Sequence, residues 1–109
     1  MPDDIMHRLS ARIAERAVQP QEGSYTNTVL ADPLLAQRKV MEEAFETCLE
    51  VREDTTQTDH DAIAGEAADV IFHLLVLLRT QGVGWQDVER HLVDRFGSPA
   101  RHSTYGNLS

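Results

Sequence analysis

Between Ile63 and Leu78 the chain is apolar in almost every helical direction: Ile63, Ala64, Ala67, Ala68, Val70, Ile71, Phe72, and Leu74 through Leu78. A helix apolar on all sides is a central helix with neighbours on most of its surface. Its run from Val70 to Leu78 is too short and too interrupted to span a bilayer. Three polar residues break it, Glu66, Asp69 and His73, all on one stripe. Carboxylates are rarely buried without a partner, and Asp is a poor helix former among aliphatic residues. This helix therefore needs something that offsets two acids. A structural salt bridge is one answer, and Arg38, Lys39 and Arg52 are the cations nearest to hand.

A second helix supplies another answer. Asp32 followed by Pro33 is a helix start, an N-cap and then proline at the first helical position. The helix it opens runs to about Glu53. At roughly 100° per residue, Lys39, Glu43, Glu46 and Glu50 share one direction. Met41, Ala44, Phe45, Cys48 and Leu49 occupy others and are expected to form the packing face, with Cys48 in the core. Glu42 lies on the flank. Read alone, the acidic stripe is a solvated face. Read with the central helix, it makes two matching pairs, Glu43 with Glu46 and Glu66 with Asp69. Each pair is three residues apart, close to one turn. Packed face to face, the two helices would bring four carboxylates together. Such a cluster is prohibitive without a counter-charge. A hard divalent cation, Mg2+ with Mn2+ able to substitute, takes oxygen ligands and also holds phosphates.

Lys39 is the one lysine beside nine arginines. A compact ammonium suits a phosphate; the competing reading is a local ion pair with Glu42 or Glu43, worth about 0.3–0.5 kcal/mol. His73, one turn beyond Asp69, is read as a donor that orients Asp69 or as a satisfied core histidine.

The rest of the chain is helix and polar loop, with no period-2 stretch. Ile5, Leu9, Ile13 and Ala17 mark an amphipathic helix over residues 3–18. Glu22 to Thr28, EGSYTNT, reads as a loop, and 54–61, DTTQTDHD, as a polar connection. The central helix spans about His60 to Thr80 and stops at Gly82. A last helix runs from about Trp85 to Phe96. The tail from Ser98 to Ser109 is polar and expected to be loosely held. The expectation is thus one all-α domain, residues 1–97, with a tail, 98–109. The chain has 109 residues and a net charge of −8, which argues against a nucleic-acid partner. With a single cysteine there is no internal disulfide and no cysteine-rich zinc site. The N-terminus lacks the apolar core of a signal peptide, so a soluble cytoplasmic protein without membrane contact is expected. A chain this small has little apolar surface with which to enclose its central helix, so a homodimer is expected.

The pattern E-x-x-E (Glu43 to Glu46), a spacer, then E-x-x-D (Glu66 to Asp69) resembles the MazG-like all-α NTP pyrophosphohydrolase superfamily. Over residues 5 to 97 the chain is more closely similar to phosphoribosyl-ATP pyrophosphohydrolases of histidine biosynthesis. The matching pieces are EGSYT (Glu22 to Thr26), Leu30, KVMEEAFE (Lys39 to Glu46), EAADVIFHLLVLL (Glu66 to Leu78) and GVGWQDVERHL (Gly82 to Leu92). The resemblance implies a four-to-five-helix bundle-like domain completed by dimerisation. It implies hydrolysis of phosphoribosyl-ATP between the α and β phosphates, releasing pyrophosphate. Glu43, Glu46, Glu66 and Asp69 would hold Mg2+, Lys39 would contact phosphate, and Glu42 would orient or deprotonate water. Ser24, Tyr25 and Thr26 would close over the substrate; local turn chemistry is their other role. Two other readings stay open: a pyrophosphohydrolase of another (deoxy)nucleoside triphosphate, and a non-catalytic helical dimerisation module. A pure module would place leucine or alanine at position 69.

Overall fold

A computed structural model describes residues 4–97; the tail read from the sequence, 98–109, lies outside the described residues. Among them there are five α-helices and no strand: α1 (Ile5–Val18), α2 (Tyr25–Leu30), α3 (Pro33–Leu49), α4 (His60–Thr80) and α5 (Trp85–Phe96), with a single 3-10 turn at Thr55–Gln57. The all-α reading holds.

Local capping sets most boundaries. Asp4, Asp32 and Asp59 each accept a backbone N–H with a side-chain oxygen at the start of α1, α3 and α4, from His7, Leu35 and Ala62. These bonds satisfy amides that have no intrahelical partner. Gly82 stops α4 in the left-handed region, φ +74°. Beyond it, Val83 N–H donates to the Leu78 carbonyl at 3.0 Å, which closes the last turn. Two boundaries differ from the sequence reading. Helix α3 ends at Leu49, short of Glu53. The EGSYTNT segment is not all loop: Ser24 Oγ accepts from Asn27 N–H and opens the six-residue helix α2.

Helix α4 is the central element and packs against α1, α2 and α3, most extensively against α3. The core joins Ile13 of α1, Val29 of α2, Ala36 of α3, and Leu75 and Val76 of α4. Helix α5 is tied to α1 by the Trp85 N–H, which donates to Ser10 Oγ at 3.0 Å.

The predicted faces of α3 are reversed. Met41 and Phe45, expected in the packing face, are 63% and 64% exposed, and Leu49 is exposed with them. Cys48, expected in the core, is exposed too. Glu43, on the stripe that reads as solvated alone but as packed toward Glu66 and Asp69 when read with the central helix, is only 8% exposed. The acidic side of α3 faces α4, and its apolar side faces outward. Ile71 and Leu74 of α4 are also partly open, so the central helix lacks a cover on part of its surface.

Candidate active site

Reversal of the α3 faces builds the site. One carboxylate oxygen from each of Glu43, Glu46 and Glu66 lies within 4.8 Å of the other two. Three-residue spacing puts Glu43 and Glu46 on one side of α3, and the long α3–α4 contact brings Glu66 up to them. Asp69 is not a member of this closest group, and it is exposed rather than buried among its aliphatic neighbours. It is still near enough for its charge to act on Glu66.

The electrostatics of the cluster are unbalanced. Glu66 Oε2 is shielded from solvent and has no hydrogen-bond partner. Burial, followed by the close approach of Glu46 and the charges of Glu43 and Asp69, pushes the Glu66 carboxyl above its ordinary value. Like charges at this separation disfavour the ionised form. An orphaned buried carboxylate oxygen facing two further carboxylates is the donor set of a hard cation.

Lys39 stands at the edge of the cluster. Its Nζ lies 3.5 Å from Glu43 Oε1 and 3.8 Å from Glu42 Oε1. Partial burial works against the ammonium, but Tyr25, Glu42 and Glu43 outweigh it and hold the Lys39 pKa above its ordinary value. Lysine therefore stays charged beside the acids. Glu42 is exposed and outside the three-oxygen group.

His73 makes a different contact from the one its spacing suggests. It is 6% exposed, and its Nδ1 is 2.7 Å from the backbone carbonyl of Asp69, not from the Asp69 carboxylate. A carbonyl only accepts, so Nδ1 carries a proton. In the neutral ring Nε2 is then an acceptor, and Tyr25 Oη donates to it at 2.8 Å. The Tyr25 and Phe72 rings stack at 6.5 Å, and both meet the His73 ring edge-on. Helix α2 is thereby fastened to α4 next to the carboxylates. Sequence reasoning missed this pairing because its partners are 48 residues apart; SYT followed by N-T, with Ser as N-cap, is the signal that a short helix presents Tyr25. Ser24 and Thr26 flank Tyr25 but line a separate cavity beside α1.

The family model described as phosphoribosyl-ATP pyrophosphohydrolase matches residues 6–96. The phosphoribosyl-ATP pyrophosphatase of Caulobacter vibrioides is 37% identical over 95 residues, 87% of this chain and 85% of the relative. That of Nitrobacter winogradskyi is 41% identical over 91 residues, 83% of this chain and 75% of the relative. The histidine biosynthesis bifunctional protein HisIE of Parasynechococcus marenigrum is 39% identical over 103 residues, 93% of this chain. The chain spans 44% of that bifunctional relative's length.

Proposed function

The chain belongs to the phosphoribosyl-ATP pyrophosphohydrolase family, and on that premise we propose that it hydrolyses phosphoribosyl-ATP to phosphoribosyl-AMP and pyrophosphate, a step of histidine biosynthesis carried out in the cytoplasm. The carrying observation is the convergence of Glu43, Glu46 and Glu66 within 4.8 Å, with one buried oxygen left unpartnered.

Those three residues, with Asp69 beside them, would hold Mg2+. When bound, the ion supplies the positive charge against which a triphosphate can sit and which acidifies water. The chain's own residues do the rest. Lys39, kept charged by Glu42 and Glu43, binds a phosphate oxygen as a point charge. Glu42, outside the cluster and open to solvent, accepts a proton from the attacking water as general base. Water attack at the phosphorus breaks the α–β anhydride bond, and pyrophosphate leaves with its electron pair. His73, with Nδ1 anchored on the Asp69 carbonyl, positions Tyr25 at the mouth of the site through Nε2.

A homodimer fits the same molecule. Leu34, Met41, Phe45 and Leu49 form an exposed apolar stripe on α3, and Ile71 and Leu74 of α4 are exposed as well. Contiguous apolar surface of this kind is usual where a partner docks. A second copy covering it would enclose the central helix and set each site next to the interface.

The test is pyrophosphate release with Mg2+ from phosphoribosyl-ATP and from a panel of ordinary and deoxynucleoside triphosphates. Release from phosphoribosyl-ATP far above the panel is expected. Preference for a deoxynucleotide would refute the substrate and retain the chemistry. Silence on every substrate would leave a helical dimerisation module.

A further inference from the structure

Arg12 and Arg16 sit one turn apart on α1 and line a single cavity of about 330 Å3. In a chain of net charge −8, two like charges at i, i+4 oppose the helix unless something uses them. Neither guanidinium forms an ion pair among the described residues. Across the cavity stand Ser24, Thr26 and Phe72. Ser24 Oγ already accepts from Asn27 N–H, so its hydroxyl hydrogen is free to donate into the cavity. Phe72 lines the same cavity and packs against the core, and its ring also meets the Tyr25 and His73 rings.

Two arginines and two hydroxyl-bearing residues lining one space carry the donors a phosphate monoester needs, and arginine can bind it in bidentate fashion. The cavity is not the carboxylate site. Phe72 lies six residues along α4 from Glu66, about 9 Å of helix axis. One phosphate group cannot occupy both places. A nucleotide carrying a triphosphate at one end and a second phosphate beyond its base can.

Resting on the function proposed above, we infer that Arg12 and Arg16, with Ser24 and Thr26, bind the distal 5′-phosphate that phosphoribosyl-ATP carries and ATP lacks. These residues would act on specificity; they touch none of the reacting atoms. Arginine at both positions would favour the larger substrate, a choice that carboxylates holding a cation on the triphosphate do not make by themselves.

The experiment compares kcat/KM for phosphoribosyl-ATP and for its analogue without the distal phosphate, in the wild type and in R12A/R16A. The double variant should lower the preference for the phosphorylated substrate by about ten- to a hundredfold, through KM, as expected for lost charge-assisted hydrogen bonds. R12K/R16K should restore only part of it. An unchanged preference, or an equal loss on both substrates, overturns the inference. A parallel titration follows ribose 5-phosphate binding by NMR on the same proteins. Saturable shifts near Phe72 that vanish in R12A/R16A support the pocket; no shift overturns it. If inorganic phosphate displaces the sugar phosphate at equal affinity, a free-phosphate site replaces the proposal. A wild type that binds ribose 5-phosphate but leaves phosphoribosyl-ATP intact refutes the proposed function while the phosphate-monoester pocket stands.

Discussion

Replacing Tyr25 by phenylalanine removes one oxygen and leaves the ring. The Tyr25–Phe72 stack at 6.5 Å and the edge contact with His73 at 5.7 Å can persist. What is lost is the 2.8 Å bond to His73 Nε2. A hydrogen bond of this kind contributes about 0.5–1.5 kcal/mol net, and an acceptor stranded in the interior costs about 1–3 kcal/mol. His73 is buried, which favours the higher figure, but Tyr25 is 50% exposed. Water can reach the place of the missing hydroxyl and bond to Nε2. The expected loss is therefore about 1 kcal/mol, or roughly 4–8 °C in Tm for a domain of this size. Thermal unfolding followed by circular dichroism measures it, in Tyr25→Phe, His73→Ala and the double variant. Coupling between the two sites should account for most of the loss. An unchanged Tm in Tyr25→Phe, or the same loss when His73 is already gone, would refute the claim that this bond fastens α2 to α4.

Four further outcomes are expected. Mg2+ should raise the Tm of the wild type by binding the folded state alone. In Glu43→Gln the rise should shrink or vanish with helicity unchanged, as scanning fluorimetry against MgCl2 can read. Glu66 has a folded pKa above its ordinary 4.5, so the stability it contributes is full below that ordinary value and is lost as pH rises through the higher folded one. Metal-free protein should thus gain stability on mild acidification in urea melts, and Glu66→Gln should remove that gain. The His7 pair runs the same way, at higher pH. Its hydrogen bond with Asp4, together with the charges of Asp4 and Glu89, raises the His7 pKa against the pull of burial. That contribution is complete below 6.5 and fades as pH rises through the raised value. Asp4, lowered to about 2 chiefly by the His7 backbone N–H, contributes above its ordinary 3.8 and loses that as pH falls through about 2. His7→Gln should flatten the alkaline side of the stability profile. Finally, on the homodimer proposed above, the wild type should sediment as a dimer and Phe45→Arg on the exposed stripe of α3 as a monomer; a monomeric wild type would refute the dimer, and an unchanged dimer in the variant would place the interface elsewhere.

Much of the fold was legible because helix ends are decided locally. Asp32 before Pro33 and Gly82 after Thr80 each act on amides and carbonyls within one turn, and Asp59 caps α4 in the same local way from within a stretch that reads only as a polar connection. Helix α2 was illegible as a helix because six residues carry too little periodicity, and only the Ser24 cap marks it. The carboxylate pairs were legible from their spacing. Which of the four acids meet most closely was not, since that depends on the offset between α3 and α4: Glu66 reaches Glu43 and Glu46, while Asp69 stands outside the group.

By itself the sequence determined the four longer helices, the central place of α4 and the two acidic pairs, because capping and periodicity act between neighbours along the chain. It determined the directions of the α3 side chains relative to one another. It did not determine which direction faces inward. Ordinary burial would turn Met41 and Phe45 toward α4 and leave Glu43 in water. The tertiary structure does the opposite, leaving the apolar stripe outward. Carboxylates can face one another where a cation offsets their repulsion, and apolar side chains can stay outside where a second surface covers them. Neither condition is written into a single helix, so only the packed molecule decides it.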